Sequence, residues 1–132
     1  MNKYEHLRLS ILPMTFKYIL LENSEDLVKC LSNNEARPIA LFQSEEESSA
    51  IIPDNVNVPC QKEELGWSCI TIVGEMPFGT VQGLIATITN ALFEEGLGVC
   101  VVSTYLSDWF FVRTKNLEAV KDCLEKNNWS FL

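Results

Sequence analysis

The chain has 132 residues, enough for one compact domain or for two small modules sharing a core, and its 47% hydrophobic and 21% charged content is that of a globular protein rather than a disordered one. A formal net charge of -8 speaks against nucleic acid and against anionic membranes, because both are bound through clustered Lys and Arg. No apolar run approaches the length of a membrane span and the opening residues MNKYEHLRLS lack the apolar core of a signal peptide, so a cytoplasmic protein with no membrane partner is expected.

In chain order, Leu7, Leu9 and Ile11 alternate with Arg8 and Ser10 before Pro13 interrupts, which predicts a half-buried first strand. Residues 16–21 predict a second. Ser24 is placed to cap a short helix with Leu27, Val28 and Leu31 on its apolar face and Asn33-Asn34 as its stop. Residues 38–42 and 49–52 read as strands around the acidic turn Glu45-Glu46-Glu47. Residues 53–64, PDNVNVPCQKEE, have the Pro, Asn and charge texture of a connector and divide the chain into expected halves at 1–58 and 59–132.

Gly66 opens a strand over residues 67–73. The clearest helix follows, with Val81, Leu84, Ile85, Ile88 and Leu92 in one apolar stripe, Gln82, Thr89, Asn90 and Glu94 opposite, and Gly96 as its stop. Residues 99–102 are almost continuously β-branched and residues 109–112 are mainly aromatic, so they read as the two buried arms of a hairpin. Its tip, Ser103-Thr104-Tyr105-Leu106-Ser107-Asp108, is polar. A last helix turns Leu117, Val120 and Leu124 inward before Asn127-Asn128, and residues 129–132 supply a short edge strand. Helices on one face of a mainly antiparallel sheet make an α+β fold.

Catalytic signals are sparse. The lone histidine, His6, sits at the start of the first strand with no Ser, Cys or Asp in a catalytic spacing. The five cysteines are odd in number, contain no C-x-x-C, and three lie within apolar patterns, as reduced buried thiols do. No phosphate loop, metal cluster or cofactor motif is present, so no enzyme, metal or cofactor is expected.

The run Gly66-Trp67, Ile72-Val73-Gly74-Glu75-Met76-Pro77-Phe78, Gly83, Glu95-Gly96 and Ser103-Thr104-Tyr105-x-x-Asp108, followed by Val112, resembles the ACT-domain family. The likeness is to its branch of small tandem proteins, which includes the cytosolic arginine sensor of animal cells and many bacterial chains. It extends from Gly66 to Leu124 and touches the first half only faintly. The resemblance implies two ferredoxin-like βαββαβ modules, each an antiparallel sheet with helices on one face, pairing side by side. It also implies an amino acid bound between modules, with binding reported to a partner protein or a regulated enzyme.

A free amino acid presents a carboxylate and an ammonium, so its site needs donors beside acceptors. The loop containing Met76, Phe78 and Gly79 would offer backbone N–H groups at a helix start, where the dipole favours an anion. By likeness to the arginine sensor, Glu95, Gly96, Leu97, Thr104, Tyr105, Ser107 and Asp108 complete the ligand-binding set, with Asp108 and Glu95 accepting from a cation. The sensor has an aromatic where this chain has Ser107, and four modules where this chain has two. A homodimer restores four. The competing expectation is a homodimeric interaction module that keeps the fold and binds no ligand.

Overall fold

The computed structural model describes residues 4, 6–31, 38, 40–75 and 83–132. In chain order the elements are β1 (Arg8–Ile11), β2 (Phe16–Leu21), α1 (Asp26–Leu31), β3 (Ala40–Gln43), β4 (Ser48–Pro53), β5 (Cys60–Val73), α2 (Leu84–Glu94), β6 (Cys100–Ser103), β7 (Asp108–Arg113), a 3-10 turn (Thr114–Asn116) and α3 (Leu117–Lys126). They form two compact units, Met14–Trp67 and the combination of Met1–Pro13 with Ser68–Leu132. These bounds differ from halves drawn at residue 58, because β1 packs with the C-terminal half.

In the unit Met14–Trp67, β2 pairs antiparallel with β4, from Phe16↔Pro53 to Leu20↔Ser49, and with the first part of β5, including Tyr18↔Glu64 and Leu20↔Lys62. β3 pairs with β4 on its other side. The expected connector is therefore strand from Cys60 onward. Its charged stretch Gln61-Lys62-Glu63-Glu64 is exposed and held by pairing to β2, a tertiary contact that overrides weak strand propensity.

Ile19, Leu21, Ala50, Ile52, Val56 and Val58 form the core of this unit with Cys30 of α1. Of the expected apolar face of α1, Leu27 packs against this core, but Val28 is 67% and Leu31 58% exposed while Asp26 and Cys30 are buried. Lys29 reaches Asp26 at 3.0 Å, so the buried carboxylate keeps a counter-charge, and a six-residue helix is too short for periodicity to choose its face. The stop expected at Asn33-Asn34 lies outside the described residues.

The second unit is built on β1, the end of β5, β7 and β6. β1 pairs antiparallel with β5 from Arg8↔Val73 to Ile11↔Ile70, β5 neighbours β7, and β7 pairs antiparallel with β6 from Phe111↔Cys100 to Asp108↔Ser103. Alternate strand residues share a face, and Leu9, Ile70, Ile72, Phe110 and Val112 all turn towards the helices. There they meet Leu84, Ile88, Ala91 and Leu92 of α2 and Val120, Cys123 and Leu124 of α3. Each fully buried apolar side chain contributes roughly 1.5–3 kcal/mol, so this shared face fixes both helices on one side of the sheet.

Two details depart from expectation. Ile85 is 36% exposed and Ala91 takes its place in the buried stripe, while Val81 lies outside the described residues. In the hairpin only β7 is largely buried; Cys100 and Ser103 of β6 are exposed, because among the described residues β6 pairs with β7 alone.

From Ser68 onward the order is strand, helix, strand, strand, helix, then an isolated bridge. The chain end pairs with β1 through the parallel bridge Leu9↔Phe131, flanked by bonds from Leu9 N to Ser130 O and from Leu132 N to Leu9 O, both 2.8 Å. Trp129 stacks on Tyr4 with ring centroids 5.6 Å apart. The expected edge strand is thus reduced to one bridge, and β1 occupies the lane beside β5.

Candidate functional site

Asp108 begins β7 and shares the parity of Phe110 and Val112, which places it on the helix-facing side of the sheet. The residue is only 9% exposed. Its backbone carbonyl accepts from the Thr71 and Ser107 hydroxyls, each at 3.3 Å. Among the described residues no donor and no cation meets its carboxylate. The Asp108 carboxylate is little exposed but is not enclosed without a partner, so it keeps access to water at the edge of the tip, where a ligand can also reach it.

The tip itself is tightly tied. Thr104 donates from its N–H at 2.8 Å and from its hydroxyl at 3.0 Å to the Ser107 carbonyl, and the Thr104 hydroxyl accepts from the Trp109 indole N–H at 3.0 Å. Ser107 Oγ donates to the Ile72 carbonyl at 3.1 Å and lies 3.2 Å from the Thr71 hydroxyl. These bonds pin the turn to β5 and hold Asp108 in position. Tyr105, 73% exposed, projects from the apex beside Leu106, 78% exposed. Thr71 lies inside the apolar run Cys69–Ile72, and nothing local in the sequence marks its hydroxyl as a brace for the hairpin.

The other predicted cluster closes α2. Gly96 has φ of 72°, and the bonds from Gly96 N to Phe93 O at 3.0 Å and from Leu97 N to Leu92 O at 2.9 Å make a Schellman stop. Both amides are consumed by the helix end, leaving carbonyls as the main-chain groups able to meet a ligand. Glu95 Oε2 lies 3.2 Å from Lys126 Nζ. The Cys123 thiol and then Lys126 hold the Glu95 carboxyl below its ordinary range, while burial and then Glu95 push the Cys123 thiol up to about 11.

The hairpin tip and the helix end stand at opposite ends of β6, whose four residues span roughly 13 Å. One copy of this unit cannot close both clusters around one small ligand. α2 connects to β6 through residues 95–99, and its start lies a helix length, about 16 Å, from that connection. That start has Gly83 at φ of 78° and no side-chain cap. Met76, Phe78 and Gly79 precede it, outside the described residues. His6 is exposed, and among the described residues no group of three or more His, Cys, Asp or Glu could hold a metal. No described helix is long and apolar enough to cross a membrane.

Helices on one face of an antiparallel sheet, in the order read from Ser68, define a ferredoxin-like α+β module. Residues 62–126, just under half of the chain, match the model of the ACT domain. ACT domains are typically regulatory and ligand-binding. Solved structures agree in fold. A protein of Agrobacterium tumefaciens is similar with a TM-score of 0.75 and 24% identity over 96% of this chain and 92% of its own. The aspartate kinase of Clostridium acetobutylicum, described as an allosteric enzyme, gives 0.65 at 12% identity over 89% of this chain and 32% of its own length. The ligand-free regulatory subunit of aspartate kinase from Thermus thermophilus gives 0.63 at 7% identity, over 89% of this chain and 95% of that one. Among curated proteins no sequence matches.

Proposed function

We propose that the protein is a non-catalytic regulatory domain that binds an amino acid between ACT modules contributed by two copies of the chain, and that it reports binding to a partner protein or a regulated enzyme. The observation that carries this reading is Asp108: a carboxylate on a residue only 9% exposed, whose backbone carbonyl is held by Thr71 and Ser107, with no cation beside it among the described residues. An ammonium or guanidinium would complete it with charge-assisted hydrogen bonds. Glu95, the carbonyls of Gly96 and Leu97, Thr104, Tyr105 and Ser107 form the rest of the set, together with the loop of Met76, Phe78 and Gly79. The tandem arrangement, with Met14–Trp67 as a diverged second module, belongs to the same proposal.

The second reading is a homodimeric interaction module without a ligand. It is favoured by the engagement of Thr104, Ser107 and the Gly96 and Leu97 amides in purely local bonds. A thermal-shift screen of the proteinogenic amino acids separates the two. Ligand at about a hundred times its dissociation constant adds roughly 2.7 kcal/mol, and at least one amino acid is expected to do so. A melting temperature indifferent to all of them refutes the sensor reading.

A further inference from the structure

α2 and α3 end side by side, and their packing builds an ion pair there. The Cys123 thiol donates to the Ala91 carbonyl at 3.4 Å, which ties the last turns of the two helices together. Glu95 lies four residues beyond Ala91 and Lys126 three beyond Cys123, so each stands one turn on from that contact and on the same side. Lys126 Nζ accordingly reaches Glu95 Oε2 at 3.2 Å. Asn127 Nδ2 donates to the Cys123 carbonyl at 2.8 Å and fixes the end of α3 that carries the lysine.

We infer that Lys126 determines specificity: as a tethered cation on Glu95 it reserves the site for an amino acid whose side chain carries no charge. The inference rests on the amino-acid reading and names the class of ligand within it. Two carboxylates stand in the candidate set, and they are not equivalent. Asp108 has no cation beside it among the described residues, so it is the acceptor left for the α-ammonium that every amino acid carries. Glu95 already has its counter-charge. A guanidinium or a side-chain ammonium directed at Glu95 must displace Lys126 or lie against its like charge. A side-chain carboxylate fares no better. It meets the carbonyl end of α2, where the dipole is negative, and Glu94, whose charge reaches the same Cys123 thiol. An uncharged side chain incurs neither cost. Because the side chains of the pair are 68% and 39% exposed, Lys126 biases the choice of ligand and does not block the site.

The test is isothermal titration calorimetry of the full chain with the proteinogenic amino acids as probes. The wild type is expected to bind an uncharged amino acid more tightly than arginine or lysine. Lys126→Gln changes an exposed position outside the core, so far-UV circular dichroism should not change. It is expected to improve arginine and lysine by about two- to fivefold relative to that uncharged amino acid, the size of a surface pair. Lys126→Arg keeps the charge and should keep the wild-type ratio. Adding Glu95→Gln to Lys126→Gln should abolish the gain, because the freed carboxylate is what a basic side chain meets. A wild type that prefers a basic or an acidic amino acid, or a Lys126→Gln ratio equal to that of the wild type, overturns the inference and leaves an amino-acid site standing. A wild type that binds none of the probes removes the amino-acid reading and this inference together.

Discussion

Asp108→Asn distinguishes a carboxylate kept for a ligand from one that merely shapes a turn. The bonds that the residue makes are through its backbone carbonyl, which accepts from Thr71 and Ser107, and they survive the substitution. What changes is the charge on the side chain of a residue that is only 9% exposed. Because the carboxylate is not enclosed without a partner, the neutral amide is expected to leave the unliganded protein within about 0.5 kcal/mol of its parent. At about 4 °C per kcal/mol for a chain of this size, the unliganded melting temperature changes by no more than about 2 °C. The parent gains about 10 °C from saturating amino acid by the same conversion and the variant gains nothing. Differential scanning fluorimetry and urea melts, each with and without ligand, measure both quantities. An Asn variant that loses more than about 1 kcal/mol without ligand shows that the tip needs the carboxylate for its own folding, and one that keeps the ligand shift shows that Asp108 does not hold the cation.

Two glycines should respond differently to alanine. Gly96 has φ of 72° and no atom within 4 Å of an added Cβ, so Gly96→Ala costs only the left-handed backbone, about 1–2 kcal/mol; at Gly74, φ of 132° coincides with Leu7 Cδ2 at 2.8 Å and the His6 carbonyl at 3.1 Å, and the loss should exceed about 3 kcal/mol in urea melts. The reverse order would contradict both environments. Alkaline pH probes the core: burial pushes the Cys69 thiol from an ordinary 9.0 up to about 12, and Cys123 is raised in the same direction. A raised folded value means that the unfolded chain ionises first, so stability is complete below about pH 9 and is lost as pH climbs towards the folded values. At about pH 10 Cys69 alone accounts for a loss on the order of 1 kcal/mol, which urea melts under reductant should detect and Cys69→Ala should remove.

The elements that sequence revealed were those whose pattern is local. β2, α2, β7 and α3 each repeat an apolar period long enough to be read, and Gly96 announces its stop because few other residues accept that backbone angle. The first part of β5 was hidden because Lys62, Glu63 and Glu64 read as solvated loop, and only the distant β2 makes them strand. α1 was recognised but misoriented, since Lys29 compensates Asp26 in a way that hydrophobicity does not encode. At the tip, residue types suggested acceptors for a cation. What they did not disclose is that Thr104 and Ser107 are spent on holding the turn, which leaves the Asp108 side chain as the acceptor not used in it.

That division of labour bears on how such a module would signal. A ligand shifts an equilibrium only by the difference in its affinity for the two states. If all its contacts lay on one rigid tip, binding would stabilise that unit without favouring any assembly. Here the acceptor at Asp108 and the helix end at Glu95 to Leu97 are separated by the length of β6, so a ligand that needs both is bound strongly only when two modules are apposed. Occupancy is then converted into association or into a fixed angle between modules, a change that an attached enzyme can feel. A coupling of 1–3 kcal/mol, of the order found between allosteric sites, corresponds to about a 5- to 150-fold change in dimer affinity. Sedimentation with saturating amino acid should show that shift for the wild type and none for Asp108→Asn, and equal dimer affinity with and without a ligand that binds would place the ligand within one module.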